Sequence, residues 1–261
     1  MNRGTRPLRG ALAASVAIVA LALAAAAHAR PLAEVQQRGE ISLCANPDAL
    51  PYASDNAAKP GFQVEIARAL AARLGVKLQV SWIIPRLRAG LVDCDMLLDT
   101  IADPAAVRGP IKLSQPYQKS GVALALRAGL QAQRFDDLKA GTRVGVMINS
   151  LASRSLDQRG LHTVPYAFEN DMVADLAKGE LEACAVSPAS IAYFIHEHPE
   201  SGLHYAHAYE SEPELRWNLA VGLRRSDDAL LEAVNAALAQ LAADGTLGQI
   251  YGRYGVELRR P

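Results

Sequence analysis

The sequence predicts an α/β protein made of two similar units. Aliphatic and β-branched runs alternate with segments whose apolar residues recur at helical spacing, and this alternation starts a second time after residue 126. One more strand and a long helix follow the second unit. Regular alternation of strands and helices is typical of parallel sheets. We therefore expect two α/β lobes, joined by two crossings of the chain, with a cleft between them.

The amino terminus has the pattern of a secretory signal peptide. Arg3, Arg6 and Arg9 precede an Ala-rich apolar run, and "AHA" at 27–29 matches a small-x-small cleavage site. An uncleaved membrane anchor is the alternative, which the cleavage site disfavours. We expect residues 1–29 to be removed and the mature protein, beginning near Arg30, to be located outside the cytoplasm, which the resemblance described below narrows to the periplasm.

Charge and composition exclude several classes of function. Without the three arginines of the leader, 24 basic residues stand against 27 acidic ones, and a nucleic-acid partner would need a clustered basic face. No apolar run after the leader is long enough to span a bilayer. No nucleophile–base pair, zinc pattern or phosphate loop is apparent either. We expect a monomer that needs no cofactor, binds no nucleic acid and is not embedded in a membrane.

The first unit reads strand, helix, strand, strand. Residues 41–45 form a predicted strand, 62–75 a helix that stops at Gly75, and 76–82 and 94–100 two further strands. The segment between Trp82 and Cys94 has room for about three turns of helix with its loops.

The second unit repeats the pattern after a strand at 122–126. We predict strands at 143–148, 162–166 and 182–187 and helices at 151–159, 169–178 and 189–197. A strand near 217–223 then leads into a long helix with Leu230, Val234, Leu238 and Leu241 on one face, and a short helix at 246–255. The strands near 122–126 and 218–222 are the predicted hinge crossings.

Candidate ligand contacts follow from the ends of the strands, where open α/β sheets bind ligands. The run "ISLCANPDALPYAS" ends a strand in a turn, although Asn and Asp there could equally serve the turn itself. Trp82, which could instead fill the core, ends the second strand, and Ser150 begins a helix whose amino terminus could receive an anion. The candidates from this rule are Asn46, Asp48, Tyr52, Trp82, Asp99, Thr100 and Ser150.

Cys44, Cys94 and Cys184 allow at most one intramolecular disulfide. If their strands are parallel neighbours in ordinary register, Cys44 and Cys94 are about three residues out of step, or about 10 Å apart. That separation exceeds the limit of about 7 Å between the α-carbons of a disulfide.

Five phrases in order resemble the bacterial extracellular solute-binding proteins of family 3, the type II periplasmic binding proteins of amino-acid importers. They are "LAEVQQRGEISLCANPDALPYAS", "GFQVEIARALAARLGVKLQV", "LSQPYQKSGVALALR", "FDDLKAGTRVGVMINSLA" and "LLEAVNAALAQLAADGTLGQIYGRYG". The resemblance implies that residues 30–121 and 223–261 form lobe 1, that 127–217 form lobe 2, and that the protein is not an enzyme.

The residues that usually grip an amino acid in that family are altered here. A zwitterion removed from water needs a carboxylate for its ammonium and a guanidinium for its carboxylate. The three family positions fall at Asn46, Val107 and Ser187, although Arg108 is one residue from the second. We therefore count Ser187 among the candidate contacts and expect a degraded amino-acid clamp.

Other phrases resemble a subgroup associated with dehydrogenases that depend on pyrroloquinoline quinone (PQQ) and oxidise methanol or other alcohols. They include "LCANPDALPYAS", "RAGLVDCD" and "WNLAVGLRR", and the first departs by having Asn46 where Asp is usual. This subgroup shows both cysteines together, in contrast to the register estimate, so the bridge between Cys44 and Cys94 stays open at this point.

Three functions are consistent with these resemblances. The subgroup implies a periplasmic partner of a PQQ-dependent dehydrogenase, with a cleft filled by Trp82 and Tyr52. The family alone implies a receptor that binds a small solute and contacts the permease of an ABC importer. A minor alternative is an enzyme similar to cyclohexadienyl dehydratase, which would need cationic groups and an acid in the cleft.

The histidines of "HEHPESGLHYAH" also invite a metal-site hypothesis. Pro199 and Gly202 interrupt them, and their spacing matches no closed zinc site. We expect His196, His198, His204 and His207 to lie on a solvated surface.

Overall fold

The structure is a computed structural model that describes residues 30–83, 94–107 and 109–261. The predicted signal peptide, the predicted helical segment before Cys94, and Arg108 lie outside these residues. The helices are α1 (Leu32–Arg38), α2 (Phe62–Arg73), α3 (Leu151–Gln158), α4 (Glu169–Ala177), α5 (Pro188–Glu197), α6 (Asp228–Ala243) and α7 (Thr246–Gly252).

The strands outnumber those expected from the sequence, because several are only two to four residues long. They are β1 (Glu40–Ala45), β2 (Asp48–Ala49), β3 (Ala53–Ser54), β4 (Lys77–Trp82), β5 (Met96–Ile101), β6 (Ile111–Leu113), β7 (Gln118–Gly121), β8 (Ala123–Leu126), β9 (Arg143–Met147), β10 (His162–Tyr166), β11 (Ala183–Val186), β12 (His204–Ala206) and β13 (Arg216–Arg224).

The first sheet has the order β4-β1-β5-β13-β6, and β7 pairs with β13 beyond this path. Strands β4, β1 and β5 are parallel, with Ala45 opposite Trp82 and Leu43 opposite Met96. This agrees with the parallel sheet expected from the first unit. The carboxyl ends of β1 and β4 therefore lie at one edge, and the turn that follows β1 leaves from that edge.

The second sheet has the order β10-β9-β11-β8-β12. Strands β10, β9 and β11 are parallel, whereas β8 and β12 are antiparallel to their neighbours. Helices α4 and α5 begin after the carboxyl ends of β10 and β11, so their amino termini face the same edge of this sheet. The two sheets and their helices form the two-lobed α/β fold expected from the sequence.

Each predicted hinge strand belongs wholly to one sheet. Strand β8 pairs with β11 and β12 in the second sheet, and β13 pairs with β5, β6 and β7 in the first. The crossing points thus lie before β8, between Gly121 and Ala123, and before β13, between Ala206 and Arg216. The division of the chain into lobes at these points is our proposal.

Helix α5 connects the packing of the two sheets. Ala189 and Ala192 on this helix belong to the same buried apolar cluster as Phe62, Tyr251 and Tyr254 of the first lobe. The ring of Tyr193 lies 6.2 Å from that of Tyr254. Beside this contact, Lys59 of the first lobe makes an ion pair with Glu197 at the end of α5. The lobes are therefore in direct apolar contact as well as linked by the chain.

Cys44 and Cys94 form a disulfide with their α-carbons 5.6 Å apart. The register estimate of about 10 Å was wrong, because Cys94 precedes β5 and the chain bends at Asp95 instead of extending the strand. The Asp95 amide donates to the carbonyl and to the hydroxyl of Ser42, which draws this bend against β1. The resemblance, which implied that the cysteines occur together, gave the better prediction.

None of the helices in the described residues combines the length and the apolar composition needed to cross a membrane.

Candidate functional site

The candidate site lies where the turn after β1 faces the amino termini of α4 and α5. The turn carries Asn46, Asp48 and Tyr52 from the first lobe, and the helices carry Glu169, Ser187 and Ser190 from the second. Both sets come from the carboxyl edges of their sheets, where ligands bind in open α/β folds. The structure thus brings together four residues expected from the sequence: Asn46, Asp48, Tyr52 and Ser187.

A hydrogen-bonded chain joins the two lobes at this point. The Tyr52 hydroxyl donates to Ser187 Oγ at 2.6 Å, and Ser187 Oγ donates to Glu169 Oε2 at 2.6 Å. Burial raises the pKa of Tyr52, and the negative charge of Glu169 adds to this increase. Tyr52 therefore remains a neutral hydrogen-bond donor well into the alkaline range.

The Glu169 carboxylate accepts hydrogen bonds from the polar groups at the start of α5. Its Oε1 accepts from the Ser187 backbone amide at 3.0 Å, and its Oε2 also accepts from the Ser190 hydroxyl. Ser187 itself caps α5, since its hydroxyl accepts from the Ser190 amide at 3.3 Å. A helix amino terminus favours an anion, and here the protein supplies that anion itself.

A cavity of about 240 Å³ opens beside this chain of hydrogen bonds. Its polar lining includes Asn46, Asp48, Glu169, Asn170 and Ser190, and its apolar lining includes Leu50, Tyr52, Met147 and Phe168. The Phe168 side chain is 59% exposed, so its ring is available to a bound molecule. A second space of about 300 Å³ shares Asp48, Leu50, Asn170 and Ser190 with it, and the site is consequently elongated.

Asn46 serves the turn as well as the cavity. Its side-chain oxygen accepts from the Asp48 amide at 3.1 Å, which is the local turn bond considered in the sequence analysis. Asn46 and Asp48 nevertheless both line the cavity, so the two interpretations are compatible.

Asp99 lies in a narrower space deeper between the lobes. This space measures about 20 Å³, enough for about one water molecule, and Tyr52 and Phe62 also line it. Gln63 donates to Asp99 Oδ2 at 2.7 Å, and the Tyr117 hydroxyl donates to Oδ1. Burial raises the pKa of Asp99, while these two hydrogen bonds oppose that shift. Its φ of 53° is rare for a residue other than glycine, and Asp99 lies within β5 where the pairing with β13 is irregular, between Leu97 opposite Gly222 and Thr100 opposite Ala220.

Three other candidates do not line these spaces. Trp82 ends β4 as expected but is 40% exposed and lines neither space, so the expected filling of the cleft by Trp82 is not seen, whereas Tyr52 lines both spaces. Thr100 lies within the first sheet opposite Ala220, and its hydroxyl donates to Leu97. Ser150 caps α3 by accepting from the Ser153 amide at 3.0 Å. Their roles as ligand contacts remain predictions.

The structure describes only some of the residues considered for the amino-acid clamp of the family. Ser187 lies at the site, but Arg108, which a shifted alignment would place in the clamp, is outside the described residues. Within the part of the chain that is described, no lysine, arginine or histidine lines the 240 Å³ cavity. In the same part of the chain, no ion pair is formed by Asp48, Asp99 or Glu169.

No group of three or more metal-ligating side chains is suitably placed among the described residues. His196 and His198 are exposed, as expected. The prediction of a solvated surface was wrong for His204 and His207, which are half-buried; burial lowers the pKa of His207. Both lie on or beside β12, where neighbouring side chains cover them.

Glu169 is the charged site residue that sequence reasoning missed, and the uncharged lining residues Leu50, Met147, Phe168, Asn170 and Ser190 were not expected either. The signal was present, because "HTVPYAFEN" is a strand followed by an acid at the start of a helix. The rule that ligands bind at the carboxyl ends of the strands, which selected residues after β1, also selects this acid after β10. Ser187 stands where the family usually has an acid, so an acid was expected to be missing there. The carboxylate of Glu169 on the neighbouring helix nevertheless reaches Ser187.

Comparisons with known proteins agree with this architecture. The chain is 28% identical over 256 residues to the L-cystine-binding protein TcyJ of Escherichia coli (strain K12), covering 94% of this chain and 92% of that protein. It is 26% identical over 208 residues to the lysine/arginine/ornithine-binding periplasmic protein of the same strain, covering 74% of this chain and 78% of that protein.

Solved structures share the fold. An ancestral cationic amino acid solute-binding protein superimposes with a TM-score of 0.71 at 22% identity, covering 85% of this chain and 98% of that one. An ancestral amino-acid-binding protein described as a precursor of cyclohexadienyl dehydratase gives 0.66 at 21%, with the same coverage.

The family description "Bacterial extracellular solute-binding proteins, family 3" matches residues 41–257, which include every residue of the candidate site and both sheets except for Glu40. The chain therefore belongs to the bacterial extracellular solute-binding proteins of family 3.

Proposed function

We propose that the mature protein is a periplasmic receptor that binds a small solute between its lobes and delivers it to the permease of an ABC importer. The observation that carries this proposal is the 240 Å³ cavity, which is lined from both lobes by Asp48 and Glu169 among others. A ligand held by both lobes favours the arrangement in which they touch, and a permease can recognise that arrangement.

The relatives support this proposal over the others. The two curated relatives are named for binding cystine and for binding lysine, arginine and ornithine, and a further relative is named as the histidine-binding periplasmic protein of Salmonella typhimurium. All three are binding proteins by name. We infer that this chain also binds a solute that carries an amino group, for which Asp48 and Glu169 supply the negative charge.

The test of the receptor is uptake. Deleting the gene should abolish uptake of one solute, and restoring the full-length protein should recover it. The purified mature protein should then melt at a higher temperature with that solute, since ligand at 100 times its dissociation constant stabilises a protein by about 2.7 kcal/mol. Unchanged uptake across a panel of amines and amino acids would contradict the receptor function.

A partner of a PQQ-dependent dehydrogenase is the second candidate. The observation that favours it is the space of about 20 Å³ behind Tyr52, because this side chain narrows the cleft as that hypothesis expects. None of the relatives named above is named as a partner of a dehydrogenase. Loss of periplasmic quinoprotein dehydrogenase activity on deletion, with all uptake intact, would favour this function over the receptor.

An enzyme similar to cyclohexadienyl dehydratase receives less support. Such an enzyme needs cationic groups for a dicarboxylate, and the described residues that line the cavity supply carboxylates and amides instead. One structural relative is described as a precursor of that enzyme, but a likeness at 21% identity carries the fold alone.

A further inference from the structure

We propose that the solute is an organic cation without a carboxylate, such as an aliphatic diamine. This inference rests on the proposed receptor function and concerns the same cavity. It follows from what Glu169 does to the start of α5, from the charge of the lining, and from the shape of the apolar walls.

The groups that could bind a ligand's carboxylate already bind Glu169. The Ser187 amide at the start of α5 donates to Glu169 Oε1, and the hydroxyls of Ser187 and Ser190 donate to Oε2. A ligand carboxylate placed there would displace a carboxylate of the protein and would meet its negative charge. The positive end of α5 is therefore satisfied from within the molecule.

The hydrogen-bond donors that remain in the described lining of the 240 Å³ cavity bind a carboxylate only weakly. Asn46 and Asn170 retain amide N–H groups, which are neutral donors, and hydrogen bonds from neutral donors to a carboxylate are weaker than those from a guanidinium. The helix amino terminus at Ser150 does not line the cavity. An amino acid would thus gain a site for its ammonium and lack a comparable one for its carboxylate.

The same lining is well suited to an ammonium group. Asp48 and Glu169 carry negative charges that no cation of the described chain pairs. Hydrogen bonds from Ser187 and Ser190 to Glu169 hold its carboxylate in place without cancelling its charge. Glu169 is half-buried and Asp48 is exposed, and a cation bound beside them would make a charge-assisted contact with either carboxylate.

The apolar walls of the same cavity can contact an alkyl chain. Leu50 and Met147 are aliphatic walls, and Tyr52 and Phe168 present aromatic rings, over which a cation is attracted by the π-system. The site continues past Asp48 into the second space of about 300 Å³, so an elongated molecule can extend along it. Glu197 and His198 also line that second space, so the absence of a basic side chain applies to the 240 Å³ cavity alone. An aliphatic diamine combines these features.

Matched pairs of ligands test the inference. Cadaverine and L-lysine differ only in the α-carboxylate, as do agmatine and L-arginine, and each should be titrated calorimetrically into the mature protein. We expect the amine of each pair to bind at least about tenfold more tightly than its amino acid, since the carboxylate of the latter finds no charged donor. Equal or tighter binding of either amino acid would overturn the inference, and would point to a cation outside the described residues.

Variants identify the site. Asp48→Asn should weaken the binding of cadaverine by about 10- to 100-fold, because a charge-assisted contact is lost. No side-chain hydrogen bond to the Asp48 carboxylate occurs in the described structure, so this change should leave folding intact. Glu169→Gln should act in the same direction. Asp171→Asn is the matched control, since Asp171 is an exposed acid in the same helical turn as Glu169 but does not line the cavity.

The outcomes separate this inference from the proposed function. If an amino acid binds tightly and Asp48→Asn weakens it, the receptor function stands and the amine specificity fails. If none of the four ligands and none of the twenty common amino acids raises the melting temperature, both fail. Equal weakening by Asp48→Asn and by Asp171→Asn would show general charge attraction and would overturn the assigned site.

Discussion

Asp95 is a buried carboxylate, 1% exposed, that ties the bend before β5 to the first lobe. It accepts from Arg30 at 2.8 Å, from Arg38 at 3.2 Å, and from the amide and hydroxyl of Ser42 at 2.7 and 2.8 Å. Burial tends to raise the pKa of Asp95, but these hydrogen bonds and the charge of Arg38 outweigh it and hold the pKa below its usual range.

Replacing this carboxylate should destabilise the protein in a pH-dependent manner. Asp95→Asn removes the negative charge that pairs with Arg30 and Arg38, so we expect a loss of about 3 kcal/mol in the free energy of unfolding at neutral pH. Because the folded-state pKa is lowered, the contribution of Asp95 is present above the unfolded pKa of about 3.9 and is lost as pH falls through the folded value. Urea unfolding at pH 7 and below pH 4 measures both effects.

In the same experiment, the difference between wild type and Asp95→Asn should shrink at the acidic pH. The exposed Asp171→Asn serves as the control and should change little at either pH. A difference that stays constant with pH would contradict the assigned role of the ionised carboxylate.

Tyr52 gives a second pH-dependent effect with the opposite sense. Its pKa is raised by burial, so the unfolded chain ionises first as pH rises, and stability should fall above the usual tyrosine pKa of about 10. Tyr52→Phe should lower stability at neutral pH by about 1 kcal/mol, since its hydrogen bond to Ser187 is lost, and should reduce the alkaline loss. Urea unfolding at pH 8 and at pH 11 provides the test, with Tyr193→Phe as the control.

At the scale of elements, the sequence predicted the long strands and helices because their apolar residues repeat regularly. Helix α1 and strands β6, β7 and β12 were not predicted, since each has seven residues or fewer and too few apolar positions to establish a period. The cavity lining was predicted on the β1 turn, where Asn46, Asp48 and Tyr52 follow a strand. It was missed at Glu169: this acid also follows a strand, but no local pattern shows that its carboxylate reaches Ser187 at the start of another helix.

The disulfide between β1 and the bend before β5 should contribute to stability and define the thiol count. Unreduced, denatured protein should show one free thiol, that of Cys184, whereas three would mean that no bridge forms. The bridge spans 50 residues, for which the chain-entropy estimate is about 4 kcal/mol. Guanidinium unfolding with and without a reductant measures this contribution.

The Cys44→Ala/Cys94→Ala double variant is the control for the reductant. Its unfolding midpoint should be lower than that of the wild type before reduction and should not change further on reduction.

Cys184 is buried and its pKa is raised by that burial, so the folded protein should resist thiol reagents at neutral pH. Rapid labelling of the native protein would contradict this description of Cys184.

At the scale of the whole molecule, the contact of α5 with the first lobe should control the separation of the lobes. Ala192 is 6% exposed and belongs to the apolar cluster of the first lobe, so a charge there is incompatible with that contact. Ala192→Glu should increase the radius of gyration measured by small-angle X-ray scattering, because the lobes part to hydrate the carboxylate. Ala236→Glu, on the exposed side of α6, should leave it unchanged.

Circular dichroism distinguishes this parting of the lobes from unfolding. The far-ultraviolet spectrum of Ala192→Glu should match that of the wild type while the radius of gyration differs. An unchanged radius of gyration with a native spectrum would show that the contact at α5 does not hold the lobes together.

The apolar nature of the α5 contact gives the arrangement of the lobes a particular dependence on temperature. Near room temperature the burial of Ala189 and Ala192 is driven by the entropy of water, and this driving force weakens on cooling. Separation of the lobes exposes that surface to water, so it carries a positive change in heat capacity. The fraction of molecules with touching lobes should therefore pass through a maximum and decline towards freezing.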